Sequence, residues 1–254
     1  MPMLRSLHRW SVDVRLATAL LTRVPLPALP SVEPDDIARA VRAYPLVGAV
    51  VGLVLGLVMV AVLSVGVPAL VAASITLAIG LLVTGALHED GLADTADGLG
   101  GGRDVATKLN IMRDHHIGSY GTLALVLTMV IKAACLQHLA LGALPALVTA
   151  HALSRAVLGG LLAGLPPARP DGLARLVGRP SFGIVAQSAL LGIGVVVMTA
   201  EAADDAALMV AVAGATAWAM GLLALRHVGG VTGDICGATQ QAVETMVLIA
   251  WCVR

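Results

Sequence analysis

Aromatic side chains are nearly absent from this chain: one Phe, two Tyr and three Trp in 254 residues. Charge is scarce as well, at 13% of residues, and it cancels, with 16 Lys+Arg against 16 Asp+Glu. A chain without a basic surplus lacks the electrostatic footprint of a nucleic-acid binder. The three cysteines, Cys135, Cys236 and Cys252, are far apart and follow no pairing or ligand spacing. That argues against a disulfide framework and a zinc site. Arg5, Arg9, Arg15 and Arg23 interrupt the apolar runs near the amino terminus, so no cleavable signal peptide is expected. What remains is aliphatic. The chain is 58% hydrophobic with a mean hydropathy of +0.91, built from Ala, Val, Leu and Gly. This composition indicates a polytopic membrane protein whose helices pack closely.

Apolar segments long enough to span lie at about 45–66, 68–87, 119–141, 143–165, 182–200 and 206–225. A seventh, 241–254, is short and carries Glu244, and reads as a partial span or a helix packed inside the bundle. The expected fold is therefore all-α: a polytopic integral membrane helix bundle of about six to seven transmembrane helices. Residues 1–44, 88–118, 166–181 and 226–240 hold 13 of the 16 Lys+Arg, whereas the connections near 67, 142 and 201–205 hold none. By the positive-inside bias the amino terminus and all the long loops face the cytoplasm. The chain reads as one domain, 1–254, with its main catalytic loop at 88–118 and a second glycine-rich loop at 226–240.

The segment 1–44 does not span. Leu7, Trp10, Val14, Ala17 and Leu21 recur at helical spacing, with Arg5, Arg9 and Asp13 on another side, as in a helix lying in the interface. Pro25, Pro27 and Pro30 end it. Ser31 to Ala43 reads as a second short amphipathic helix with Pro34, Asp35 and Asp36 in its first turn.

The densest polar stretch runs from His88 to Gly102, with four carboxylates and five glycines straight after an apolar helix. Asp90, Asp94 and Asp97 fall at i, i+4 and i+7, so a helix continued from residue 68 to about 98 lines their carboxylates on one face. Three like charges repel, and a divalent cation relieves that cost; hard oxygen donors suit Mg²⁺. The bland alternative is a solvated acidic helix end, but Gly91 and Gly98 would each cost such a helix up to about 1 kcal/mol. Downstream, glycines 100–102 lie beside Arg103, Lys108 and Arg113, a composition suited to closing over a diphosphate. Asp114, His115 and His116 follow; the adjacent histidines read as surface residues. Gly229, Gly230, Thr232, Gly233 and Asp234 form a third constellation, a turn able to cradle phosphate with Asp234 as a possible metal ligand. Its bland reading is a helix-to-helix turn that needs glycine. His227 and Glu244 flank it. Arg155, with His151 one turn earlier, is placed near the cytoplasmic end of its span, within reach of a phosphate. Lys132 has no assignable role, and Glu89 either joins the metal site or faces water.

Taken together, these segments resemble the cobalamin synthase (adenosylcobinamide-GDP ribazoletransferase) family. The matching motifs are Thr22-Arg23-Val24-Pro25-Leu26-Pro27, Tyr44 to Gly52, His88 to Asp104, Ile111 to Gly121 and Gly229 to Ala238. The resemblance implies an enzyme in which a hydroxyl of α-ribazole, or of its 5′-phosphate, attacks the phosphorus nearest the corrinoid in adenosylcobinamide-GDP and GMP leaves. It implies Mg²⁺ on Asp90, Asp94, Asp97 and Asp234, with Asp94 or Asp97 taking the hydroxyl proton. Arg103, Lys108, Arg113, Asp114, Gly229, Gly230, Thr232 and Gly233 would bind substrate. The partners implied are these small molecules and membrane lipids, with homo-oligomers and other pathway enzymes left open. The expected location is the inner membrane of a prokaryote.

Two other classes stay open. A CDP-alcohol phosphotransferase does analogous chemistry, and Asp171-Gly172-Leu173-Ala174-Arg175 carries half of that family's motif without its downstream aspartates. A transporter would place its ionisable groups nearer the membrane midplane, where only Lys132 falls.

Overall fold

A computed structural model describes residues 2–27, 32–114 and 116–254. Pro30, Ser31 and His115, and the side chains of Arg5, Leu7 and Pro34, lie outside the described residues. The chain runs through twelve α-helices among these residues: α1 (Pro2–Leu21), α2 (Pro34–Ala40), α3 (Tyr44–Ser64), α4 (Ala69–Thr84), α5 (Leu87–Gly101), α6 (Val105–Ile111), α7 (Ser119–Leu139), α8 (Ala143–Gly164), α9 (Leu173–Val177), α10 (Phe182–Thr199), α11 (Ala203–Val228) and α12 (Gly233–Val253). The architecture is an all-α polytopic membrane bundle. By length and composition, four helical stretches can cross a membrane: 35–64, 119–164, 182–199 and 203–228, or five if the bent pair α4–α5 counts as one span. The sequence led us to expect six to seven. The 46-residue stretch 119–164 would reach about 69 Å at 1.5 Å per residue, roughly twice the hydrocarbon thickness. Ala140, at φ 48°, divides it into α7 and α8. Outward-facing Val50, Leu53, Leu57, Leu123, Leu127 and Val130 give α3 and α7 an apolar exterior suited to lipid.

Small residues set the packing. Gly48, Gly52 and Gly56 make one stripe on α3, and α8 lies directly against it. A Cβ at Gly48 would sit 2.1 Å from the His151 carbonyl oxygen, and one at Gly52 2.4 Å from that of Leu147. Only a bare backbone permits this approach.

Two expectations are corrected here. The acidic helix does not continue straight from α4. Gly85 (φ 67°) and Ala86 (φ 55°) are both left-handed, and α5 leaves α4 at 92°. Two successive left-handed residues cannot continue a right-handed helix. The amide of Arg23 donates to the Val83 carbonyl (2.7 Å), and its side chain fills the space a Cβ on Gly85 would need. The last helix is also longer than the segment 241–254 suggested. It begins at Gly233, is largely buried, and takes most of the expected loop 226–240 into its first two turns. Likewise, most of the expected loop 88–118 is helix, α5 and α6.

At the entry, the inward side of α1 carries Asp13, fully buried beside Ala17 and Leu21, while Val14 is exposed. Asp13 accepts from Arg39 Nε (3.0 Å) and Arg42 Nε (2.6 Å), and Arg42 also lies 3.9 Å over the Trp10 ring. The charge expected on the wet side thus clamps α1 to α2 and to the turn that leads into α3.

Candidate active site

The expected site segments meet at one end of the bundle. The amide nitrogens of Gly118 and Gly121 donate to the two Asp97 carboxylate oxygens (2.7 and 2.9 Å), joining α5 to the start of α7. Lys108 Nζ lies 3.1 Å from His227 Nδ1, joining α6 to the end of α11. Arg113 pairs with Asp171, and Val231 exchanges backbone bonds with the segment after α8. The opposite end is held by Arg254, which pairs with Glu201 and Asp205.

The centre is the crossing of α5 and α12. Gly91 and Gly237 touch there: a Cβ on either would lie 3.1 Å from the other's Cα, and one on Gly91 only 2.8 Å from the Asp234 carbonyl oxygen. This contact sets Asp90 and Asp94 of α5 beside Asp234 in the first turn of α12. Burial, and then the charges of Asp90, Asp234 and Asp97, push the Asp94 carboxyl up to about 7, against the pull of Arg169. Asp97 is nearly buried, with both oxygens engaged at the α7 amino terminus. That is why positions 118 and 121 carry glycine, since a Cβ at either would lie within 2.5 Å of the carboxylate.

A cavity of about 280 Å³ opens beside these carboxylates. Asp90, Thr232, Asp234, Arg169 and Asp171 give it a polar end. Leu20, Leu21, Tyr44, Leu158, Leu162 and Val177 give it an apolar wall. Of the substrate-binding candidates, Thr232 and Gly233 line it, and Arg113 reaches its rim through Asp171. Arg103, Lys108 and Asp114 do not line it; Arg103 is exposed on the turn after α5, and Asp114 bonds His116 (2.7 Å). Gly229 and Gly230 serve the backbone. Gly229 ends α11 at φ 75°, and Gly230 lets Pro166 approach, since a Cβ would sit 2.2 Å from its carbonyl oxygen. Thr232 caps α12 by accepting from the Ile235 amide (3.2 Å).

Arg169, Asp171 and His88 line the cavity and are absent from our sequence-based site. Asp171 stands out in the sequence only as the start of the partial phosphotransferase motif 171–175, and Arg169 not at all. Among the described residues, no three His, Cys, Asp or Glu side chains are arranged to hold a metal ion. Mg²⁺ commonly takes one or two protein carboxylates and completes its shell with water and substrate phosphate. Asp90, Asp94 and Asp234 are carboxylates from which one or two such donors could be drawn, without a closed cage.

A second polar cluster lies behind the site, inside the bundle. Lys132 Nζ donates to Glu244 Oε1 (2.5 Å) and Gln241 Oε1 (2.6 Å). Gln240 Nε2 donates to the other Glu244 oxygen (2.6 Å), and Arg155 Nη1 to His151 Nδ1 (2.9 Å). Glu89 faces this cluster and accepts from Gln241 Nε2 (2.8 Å). This corrects three expectations. Arg155 and Glu244 serve the cluster and do not line the main cavity, and Glu89 belongs neither to the carboxylate site nor to water. Lys132 gains a role as the counter-charge of Glu244.

Fold and site together define a helical membrane enzyme with a carboxylate-lined, amphipathic cavity. The chain belongs to the cobalamin-5-phosphate synthase family, whose match covers residues 13–252. The adenosylcobinamide-GDP ribazoletransferase of Azorhizobium caulinodans is 41% identical over 93% of this chain and 94% of its own. Those of Rhizobium etli and Ralstonia nicotianae are 38% and 39% identical, over 95% and 98% of this chain and 96% and 99% of their own. No solved structure matches the chain significantly. With these relatives it is a transferase of cobalamin biosynthesis, which sets aside the lipid-phosphotransferase and transporter readings.

Proposed function

We propose that this cavity joins adenosylcobinamide-GDP to α-ribazole or its 5′-phosphate. The acceptor hydroxyl attacks the phosphorus nearest the corrinoid, GMP leaves, and adenosylcobalamin or its 5′-phosphate is formed. The observation that carries this reading is the convergence of Asp90 and Asp234, from two helices crossing at Gly91 and Gly237, on the polar end of an amphipathic cavity, with Asp94 beside them within reach of both their charges.

Asp90, Asp94 and Asp234 are the residues that would hold Mg²⁺, which when bound neutralises charge on the diphosphate. In this reading Asp94 takes the proton of the attacking hydroxyl in preference to Asp97, whose two oxygens are occupied at the amino terminus of α7. Thr232 offers a hydroxyl at the same end, while Leu158, Leu162 and Tyr44 exclude water from the far wall. The site faces the cytoplasm of an inner membrane, a reading supported by the Lys and Arg of the loops that build it.

The test is GMP release by purified protein in liposomes, given adenosylcobinamide-GDP and α-ribazole, with Mg²⁺ and with EDTA. Release that needs both the acceptor and the metal is expected. Folded protein that releases no GMP would overturn the reading.

A further inference from the structure

Arg169 occupies the place where a cation is wanted. Its Nη2 donates to Asp234 Oδ2, and Thr232 Oγ1 donates to the same oxygen (3.2 Å). The pair lines the cavity, with side-chain exposures of 13% for Arg169 and 24% for Asp234. Asp234 is the one side-chain hydrogen-bond partner of this guanidinium among the described residues, and Arg169 itself lines the cavity.

The backbone builds this position. After α8 the chain is strapped to the glycine turn: Val231 N donates to the Pro166 carbonyl (2.8 Å) and Ala168 N to that of Val231 (2.9 Å), a short parallel bridge. Gly230 is bare so that the strap can close. Arg169 is the next residue, and two positions on Asp171 is held by Arg113 at the rim. The segment is tied at both ends with its one guanidinium over the carboxylates.

Electrostatics make this pair unstable toward ligand. Asp90, Asp94 and Asp234 together outnumber Arg169, and an anionic diphosphate cannot approach them until cations intervene. Arg169 and Thr232 both hold Asp234 Oδ2, so a divalent cation on this carboxylate would share it with the guanidinium, and the two positive charges repel. A guanidinium released there lies within a side-chain swing of the incoming phosphate, for which its planar fork is well shaped.

We infer that Arg169 is a stand-in cation at Asp234 that yields its place to the metal and moves to a phosphate oxygen of the donor. This rests on the function proposed above, and deepens it by naming a diphosphate-binding, exchange residue on the segment 166–171.

The experiment titrates Mn²⁺, followed by electron paramagnetic resonance, into purified wild-type, Arg169→Gln and Arg169→Lys proteins without substrate. It also measures KM and kcat for adenosylcobinamide-GDP. Arg169→Gln should bind Mn²⁺ about tenfold or more tighter, because its competitor is gone. Its donor KM should rise by a similar factor, the worth of one charge-assisted hydrogen bond. Arg169→Lys keeps the charge and loses the fork, so Mn²⁺ affinity should stay near wild type while donor KM rises. A merely structural ion pair would weaken both properties in Arg169→Gln. Unchanged or weaker Mn²⁺ binding by folded Arg169→Gln would overturn the inference. If that variant does not fold, an unchanged donor KM in Arg169→Lys would overturn it. Wild-type protein that neither binds Mn²⁺ nor releases GMP would instead overturn the underlying function.

Discussion

The open cavity and the closed cluster behind it are built on the same two helices, yet they handle charge in opposite ways. On α5, Asp90 faces the cavity and its neighbour Glu89 faces the cluster. On α12, Asp234 lies in the first turn and Gln240, Gln241 and Glu244 lie two to three turns deeper. In the cluster, Lys132 and Arg155 are matched by Glu89 and Glu244, and the amides of Gln240 and Gln241 take up most of the remaining bonds. Nothing there is in charge surplus. The cavity holds aspartates in excess, with Arg169 as their neighbour, and burial together with that surplus pushes the Asp94 carboxyl upward. A buried cluster that balances its charges supports a fold. One left in deficit is prepared for a ligand.

Substitutions should separate the two regions. Asp94→Asn should lower GMP release by about 10²- to 10⁴-fold, the usual reach of a lost acid–base group. Its melting temperature should hold or rise, since a crowded charge has gone; equal loss of fold would break the comparison. Gly91→Val comes next, because it drives apart the α5–α12 crossing that sets the carboxylate spacing. Turnover should drop by about 10²-fold, as for a misplacement near 1 Å. Lys132→Met should act the other way round. It leaves Glu244 buried without its partner and should cost about 3–5 kcal/mol of stability. The double variant Lys132→Met/Glu244→Gln should recover much of that, read by thermal unfolding in detergent. Gly118→Ala should be mildest, weakening the Asp97 cap on α7 by about 1 kcal/mol. A larger effect on turnover than on melting would move Asp97 from the scaffold back into the chemistry.

Local periodicity made the carboxylate face legible. Asp90 and Asp94 share it, and hydropathy alone marked α3, α7, α8, α10 and α11. The bend at Gly85–Ala86 was hidden because one glycine followed by alanine in an apolar run signals no reversal of φ. The length of α12 was hidden for a different reason. Gln240, Gln241 and Glu244 lower its hydropathy, yet they point inward to partners on other helices. Asp13 misled in the same manner, since its arginine partners lie 26 and 29 residues away. Arg169 left no local sign, because its partner is 65 residues away and its position depends on two backbone hydrogen bonds.

The glycine stripe 48-52-56 has a mechanical consequence. With α3 pressed onto the backbone of α8 and no intervening side-chain layer, the two helices share one rigid frame, and sliding either would drive backbone into backbone. Any breathing that admits a bulky substrate must then come from parts hung on that frame. The segment 166–171, tethered by two backbone bonds and two ion pairs, is the lightest of these. In this enzyme the stiffness of the membrane core is what confines motion to the residues that meet the substrate.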